Sequence, residues 1–407
     1  MSPRRRYPAA MDRRAFLFSA AASLLPSGQH HPAAEARAVL LLPLTGERAP
    51  LGRMLRGVAL AAAESVNRAL PRGARRVALQ VEDWQSDPRR FDALVRRHGV
   101  GEGRPAALMG PCPHELRRDV GTFLEAVDGA LWDPQGYEGG ECSPALLHFG
   151  PTPHQSLTQA LPFLAREVGN RFLLVAGEGA YGSGLARVGK WALGRMGAEL
   201  VGKAEPGMRV AWLRKLKRER VDVVLCTLEG AELAGFLAAY GELRLDPASQ
   251  PILAPAMTEL EARAAGSLAA GHVSCQPYYA AWRTLGNDRF LAALRRYLEP
   301  GTVPTAQGEA LWGLIHLFGY AVANLGSLTL HPVLVREAAR GRELLLPQGR
   351  VVVETETLHP RLWPKLAIVN SDGSFKVIAR SQRAVPPLPF WGLDSGACPA
   401  RDVAVED

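Results

Sequence analysis

Residues 172–184, FLLVAGEGAYGSG, put Gly177, Gly179 and Gly182 behind an apolar run as GxGxxG, with Glu199 about 20 positions past Gly179. That spacing belongs to dinucleotide-phosphate cradles, in which the acid binds a ribose hydroxyl. Here Glu199 opens the next strand, whereas such an acid belongs at that strand's far end, and Glu205 stands too far along. Cys112 and His114 offer a thiol and a base for amide hydrolysis. As i and i+2 they would not face each other on a helix, and no GxSxG nucleophile elbow occurs. The five cysteines, Cys112, Cys142, Cys226, Cys275 and Cys398, form no CxxC pair and no metal spacing. Neither an enzyme, a cofactor nor a metal is therefore expected. The glycines read as a tight strand-to-helix turn with Tyr181 held between them.

Such a turn needs a strand before it and a helix behind it, and the whole chain follows that grammar. Apolar stretches 38–46, 75–87 and 105–111 alternate with helical periodicities over 51–70, 87–100 and 114–129, and 130–134 is again extended. From about residue 156 the alternation starts anew: helix 156–170, strand 171–177, helix 182–197, strand 198–206, helix 210–220, strand 221–230, helix 231–243. The strands 250–256 and 271–279 follow. Strict alternation predicts α/β architecture with two doubly wound, Rossmann-like lobes, which bind ligands beyond the carboxyl ends of their strands. Helices over 287–298 and 305–326 come next. The period-2 strands and Ser371-Asp372-Gly373 turn of 349–379 predict a small antiparallel addition.

With 407 residues, 47% hydrophobic and 22% charged, the chain can build two domains of ordinary size. The net charge of +8 owes much to Arg4, Arg5, Arg6, Arg13 and Arg14. The densest basic run elsewhere, WLRKLKRER at 212–220, carries Trp212, Leu213 and Leu216 on one helical face and reads as a solvated helix surface, so no nucleic-acid partner is expected. MDRRAFLFSAAASLLPSG, from Met11, has the layout of a twin-arginine export signal, and its apolar run is too short to span a bilayer. Cleavage at the Ala34-Glu35-Ala36 segment would start the mature chain near Arg37, in a periplasm.

YEGGECSPALLHFGPTPHQS at 137–156 resembles the lobe-joining segment of urea-binding proteins of ABC transporters and of the amide sensor that regulates aliphatic amidase. QPYYAAWRT at 276–284 and LPQGRVVVETETLHPRLWPKLAIVNSDGSFKV at 346–377 resemble two further motifs of these type I periplasmic-binding proteins, so the likeness runs from about 38 to 380. It implies two lobes joined by three hinge crossings: an N-terminal lobe of 37–155 and 280–340, a C-terminal lobe of 156–279 and 341–385, and a tail of 386–407. Carried over position by position, it implies ligand contacts from Cys112, His114, Asp133, Gln135, Gly136, Tyr181, Thr227, Leu228 and Glu229. Several of these replace family aromatics with small or charged residues.

The expectation is thus a periplasmic solute-binding protein of an ABC transporter, closing on a small polar solute such as urea, a short amide, an amine or an amino acid, and partnered by an inner-membrane ABC permease. Asp133 and Glu229 would accept hydrogen bonds, while His114, Gln135, Thr227 and Tyr181 would donate. The alternatives are an amide-sensing regulator of amidase expression and, more remotely, a nucleotide-dependent oxidoreductase or an amide hydrolase. A homodimer is left open.

Overall fold

The computed structural model describes residues 35–326 and 329–391. The expected export signal and Cys398 lie outside them. The first sheet comprises β1 (Glu35–Leu42), β2 (Arg76–Asp83), β3 (Ala107–Met109), β4 (Leu131–Asp133) and β5 (Leu146–His148), ordered β2-β1-β3-β4-β5 with every neighbour parallel. Strands β6 (Arg171–Val175), β7 (Glu199–Ala204), β8 (Val223–Cys226), β9 (Ile252–Leu253) and β10 (Val273–Gln276) form the parallel part of a second sheet. A small antiparallel sheet takes β11 (Glu343–Leu346), β12 (Gly349–Val353) and β13 (Pro360–Arg361). Finally β14 (Lys365–Val369) and β15 (Phe375–Arg380) add antiparallel to the second sheet, giving β15-β14-β10-β9-β8-β6-β7.

Parallel strands buried on both faces need helices on both sides. Helices α1 (Ala49–Ala69), α2 (Pro88–Gly99) and α3 (Arg117–Ala126) follow strands of the first sheet. Helices α4 (Pro153–Leu157), α5 (Ala160–Glu167), α6 (Ala180–Arg195), α7 (Arg209–Leu213), α8 (Gly230–Glu242) and α9 (Glu259–Ala265) belong to the second half. The chain then returns to the first lobe through α10 (Leu285–Leu294), α11 (Ala306–Leu325) and α12 (Pro332–Glu337). Two apolar clusters flank the first sheet, around Trp132 with Phe318 and around Trp84 with Phe91. Two more flank the second, around Phe172 with Leu185 and around Phe236 with Tyr279.

Several expectations need adjusting. β5 is a three-residue strand that periodicity did not reveal, and the helix expected over 156–170 is two, α4 and α5. The helix expected over 210–220 closes after Leu213 and continues as turns. β1 already pairs Glu35 with Arg76 and fully buries Ala36, ahead of the expected mature start at Arg37. Residues 343–358 were expected in the C-terminal lobe, but Leu346, Val351, Val353 and Leu358 bury into the first-lobe core beside α11. Their apolar contact is with a helix distant in sequence, so the last return to the second lobe falls at 362–364 rather than at 341.

The chain passes between lobes after β5, after β10 and after β13. Buried polar groups tie these passages together. The Gln155 amide donates to the carbonyls of Pro360 and Val385, both at 2.9 Å, linking the first passage to the third. The Lys365 ammonium donates to the carbonyls of Pro277 at 2.7 Å and Trp363 at 2.9 Å, linking the second to the third. Of the expected tail, Trp391 packs edge-on against Trp191, with ring centroids 4.1 Å apart. Cys142 is disulfide-bonded, whereas Cys112, Cys226 and Cys275 are free and buried.

In the first lobe α1 crosses α11 so closely that a Cβ placed on Gly319 would lie 2.2 Å from Val66 Cγ1. Gly319→Ala should therefore cost about 1–3 kcal/mol through overpacking, read as a lower urea midpoint, and Val66→Ala in the same chain should recover part of it.

Candidate functional site

The carboxyl ends of β1, β2, β3, β8 and β9 open onto one cleft of about 790 Å³ between the lobes. One wall comes from the first lobe, with Glu47, Arg48, Trp84, Ser86, His114 and Glu115. The other comes from the second, with Glu229, Gly230 and Ala231 at the start of α8 and Thr258 with Glu261 at the start of α9. Behind the first wall lies Arg117, at the start of α3 and wholly buried. Its Nε donates to Asp133 Oδ2 at 3.0 Å, its Nη2 to the Gly136 carbonyl at 3.0 Å, and its Nη1 to Glu138.

The next layer follows from that ion cluster. His114 meets Glu138 Oε2 through Nδ1 at 3.1 Å and the Gln135 side-chain amide through Nε2. Arg48 in turn donates to Gln135 Oε1 at 2.9 Å. Because Oε1 is thereby the acceptor, the Gln135 NH₂ donates to His114 Nε2, which fixes the neutral Nδ1–H tautomer. The electrostatics agree. Burial first, and the Arg117 charge second, hold the His114 pKa down at about 4. Burial alone would raise Glu138, but Arg117 and the His114 hydrogen bond outweigh it and hold the carboxyl at about 2. Asp133 is pushed upward by burial against the pull of the same guanidinium.

Of the nine residues expected to contact ligand, His114 and Glu229 line this cleft. Asp133 and Gly136 are held by Arg117, and Gln135 joins His114 to Arg48. Cys112 and Leu228 lie in separate apolar clusters. Thr227 accepts from the Gly177 amide at 3.0 Å and donates to the Gly182 carbonyl at 2.8 Å, tying down the glycine turn. Tyr181 reaches across from the second lobe and stacks on His114, with ring centroids 4.8 Å apart. Gly136 faces the same ring so closely that a Cβ there would lie 3.0 Å from it.

Sequence reasoning missed Arg48, Trp84, Ser86 and Thr258. The usable signal was that each lies in the connection leaving a strand's carboxyl end, the edge where open α/β sheets hold ligands. Arg48 also lies over the Trp84 ring, 5.8 Å from its centroid.

The cleft offers both signs of charge. Neither α1, with Arg48 at its N-cap, nor α8, with Glu229 there, has a side-chain cap. At α1 the Ala49 N–H already donates to the Gly46 carbonyl and Pro50 has none, so it is the start of α8 that offers its first backbone N–H groups to an anion. Glu47 and Glu229 stand beside them, and a Cβ on Gly230 would lie 3.9 Å from Glu47 Oε1 across the cleft. Glu229 keeps a solvent-accessible side chain, yet the walls around it exclude enough water to lift its pKa to about 7, against the pull of Arg48.

Arg117→Met should leave Asp133 and Glu138 buried without their cation, costing about 3–5 kcal/mol. Unpaired buried carboxylates have raised folded pKa values, so they bind protons more readily than the unfolded chain does. The deficit, read by urea unfolding, should therefore shrink as pH falls.

Comparison with known proteins fits this geometry. A family model described as "Periplasmic binding protein domain" matches residues 37–395. A Rhodopseudomonas palustris ABC-transporter solute-binding protein solved with 4-hydroxybenzoate superposes with a TM-score of 0.76 at 19% identity, over 88% of this chain and 99% of that one. A Sphaerobacter thermophilus ABC-transporter substrate-binding protein gives 0.75 at 20%, over 88% and 100%. A leucine-, isoleucine-, valine-, threonine- and alanine-binding protein from Brucella ovis, in its closed conformation, gives 0.74 at 15%, over 87% and 97%. The family is one of binding proteins rather than enzymes. Two parallel-sheet lobes around a charged cleft and a family match over nearly the whole described chain lead to one conclusion: the chain belongs to the periplasmic binding protein family.

Proposed function

We propose that the protein is the extracytoplasmic solute-binding component of an ABC transporter, and that its solute is a small amine-bearing molecule of the amino-acid type. The observation that carries this reading is the uncapped start of α8, with Glu229 at its N-cap, opening onto the cleft that Arg48 and Glu47 line from the other lobe. A carboxylate would take the α8 amides and Arg48, while an ammonium would take Glu229 and Glu47. Because the groups come from both lobes, such a solute binds the closed form better than the open one and shifts the population toward it. An inner-membrane permease would read that closed surface, and a twin-arginine signal would deliver the protein there.

Urea and short amides fit less well. They would leave most of the 790 Å³ empty, and the Asp133 and Thr227 groups expected to hold them are engaged within the protein. The relatives solved with hydroxybenzoate and named for amino acids support a carboxylate-bearing ligand.

A thermal-shift and calorimetric screen of amino acids, primary amines, benzoates, urea and acetamide tests this. Amino acids should raise the melting temperature, and Glu229→Gln should weaken them about tenfold, on the order of one charge-assisted hydrogen bond. Stabilisation by urea, amides or benzoates with amino acids silent would sink the reading.

The elevated Glu229 pKa adds a second test. An ammonium selects the ionised carboxylate, which is populated above a pKa of about 7. Affinity should be roughly tenfold weaker one unit below that pKa than one unit above it. Calorimetry near neutrality in buffers of different ionisation enthalpy should detect proton release on binding, and Glu229→Gln should abolish it.

A further inference from the structure

The basic stretch 206–220 has no part in the cleft, yet its exposed residues share a pattern. It holds Arg209, Arg214, Lys215, Lys217, Arg218 and Arg220 against a single acid, Glu219. Leu213 and Leu216 are buried in the second lobe's core, fixing which side faces inward. On the outer side, Val210, Arg214, Lys217 and Arg218 follow at i, i+4, i+7 and i+8, the spacing of one helical stripe. The Arg214 amide bonds to the Val210 carbonyl, and helix-like turns carry the chain on to Arg220. Two apolar side chains adjoin these cations, Met208 at 47% and Val210 at 44% exposed. Lys215 lies over the Trp212 ring, 5.4 Å from its centroid, and Arg218 bonds to Glu219, so these long side chains lie along the surface.

We propose that this surface docks the protein on an anionic phospholipid bilayer. Clustered Lys and Arg are drawn to a negatively charged leaflet, and adjoining apolar side chains enter the headgroup boundary. Exposed Met208 and Val210 favour a bilayer over a soluble polyanion, which would have no use for them. The surface is also fastened to the cleft: Arg209 donates to Glu232 Oε1 at 2.8 Å, and Glu232 lies in the α8 wall. A docked carrier would hold that wall near the membrane, where a permease waits, whatever the solute.

Co-sedimentation of the purified protein with phosphatidylcholine vesicles, with and without phosphatidylglycerol, tests this. Binding is expected to the anionic vesicles alone and to fall as salt screens the charges. Arg214→Ser/Lys217→Ser/Arg218→Ser should weaken partitioning on the order of 100-fold, and Met208→Ser/Val210→Ser should weaken it less. Both variants keep the Arg-rich N-terminus, so its contribution cancels. Unchanged thermal unfolding and an unchanged far-ultraviolet circular dichroism spectrum would show that they fold. Equal binding to both vesicles, binding to neither, or binding kept by the triple variant overturns the proposal. Retention on heparin without vesicle binding assigns the surface to a polyanion and overturns it too.

Discussion

A guanidinium buried out of water must be paired, because an uncompensated charge in the interior costs several kcal/mol. Arg117 answers that requirement with Asp133 at the end of β4, the Gly136 carbonyl just beyond it, and Glu138 further along the connection from β4 to β5. Three points of one loop are thereby fixed to the start of α3. His114, Gln135 and Arg48 then fall into place as a relay of hydrogen bonds from that core to the cleft surface. The first wall of the cleft is therefore built before any solute arrives, which lowers the ordering cost of binding.

The fold was legible because alternation of apolar strands and amphipathic helices is a local property. What escaped was non-local or short. β5 has too few residues to show a period, and 343–358 belong to the first lobe because Leu346 and Val351 meet a core made by distant helices. The site was legible in part for a related reason. Sequence can mark Asp133 or Thr227 as polar and near a strand end, but not that Arg117 and Gly182 claim those atoms first. Glu229 and His114 were recoverable from position alone. Arg48 and Trp84 would have been, had every strand end been weighed rather than those that matched known motifs.

The glycine turn shows why a spacing pattern misleads without its surroundings. A Cβ on Gly177 or Gly182 would lie 2.7 Å from the Thr227 carbonyl, and one on Gly184 would lie 1.9 Å from the Glu138 carbonyl. The absence of side chains lets α6 press against β8's exit and against the first lobe's β4–β5 connection. A phosphate cradle uses the same bareness to admit a ligand; here the space is taken by the protein's own backbone. Tyr181, held by that turn, meets His114 instead of standing free in the cleft.

The tied passages between the lobes bear on how the molecule moves. With Gln155 spanning the first and third, and Lys365 the second and third, no passage can twist without dragging the others. The linkage behaves like a door hung on three knuckles with one pin, free to swing but not to wobble. Its two lobes can then differ between states by little more than a single angle, which is the kind of coordinate a partner protein can read from outside.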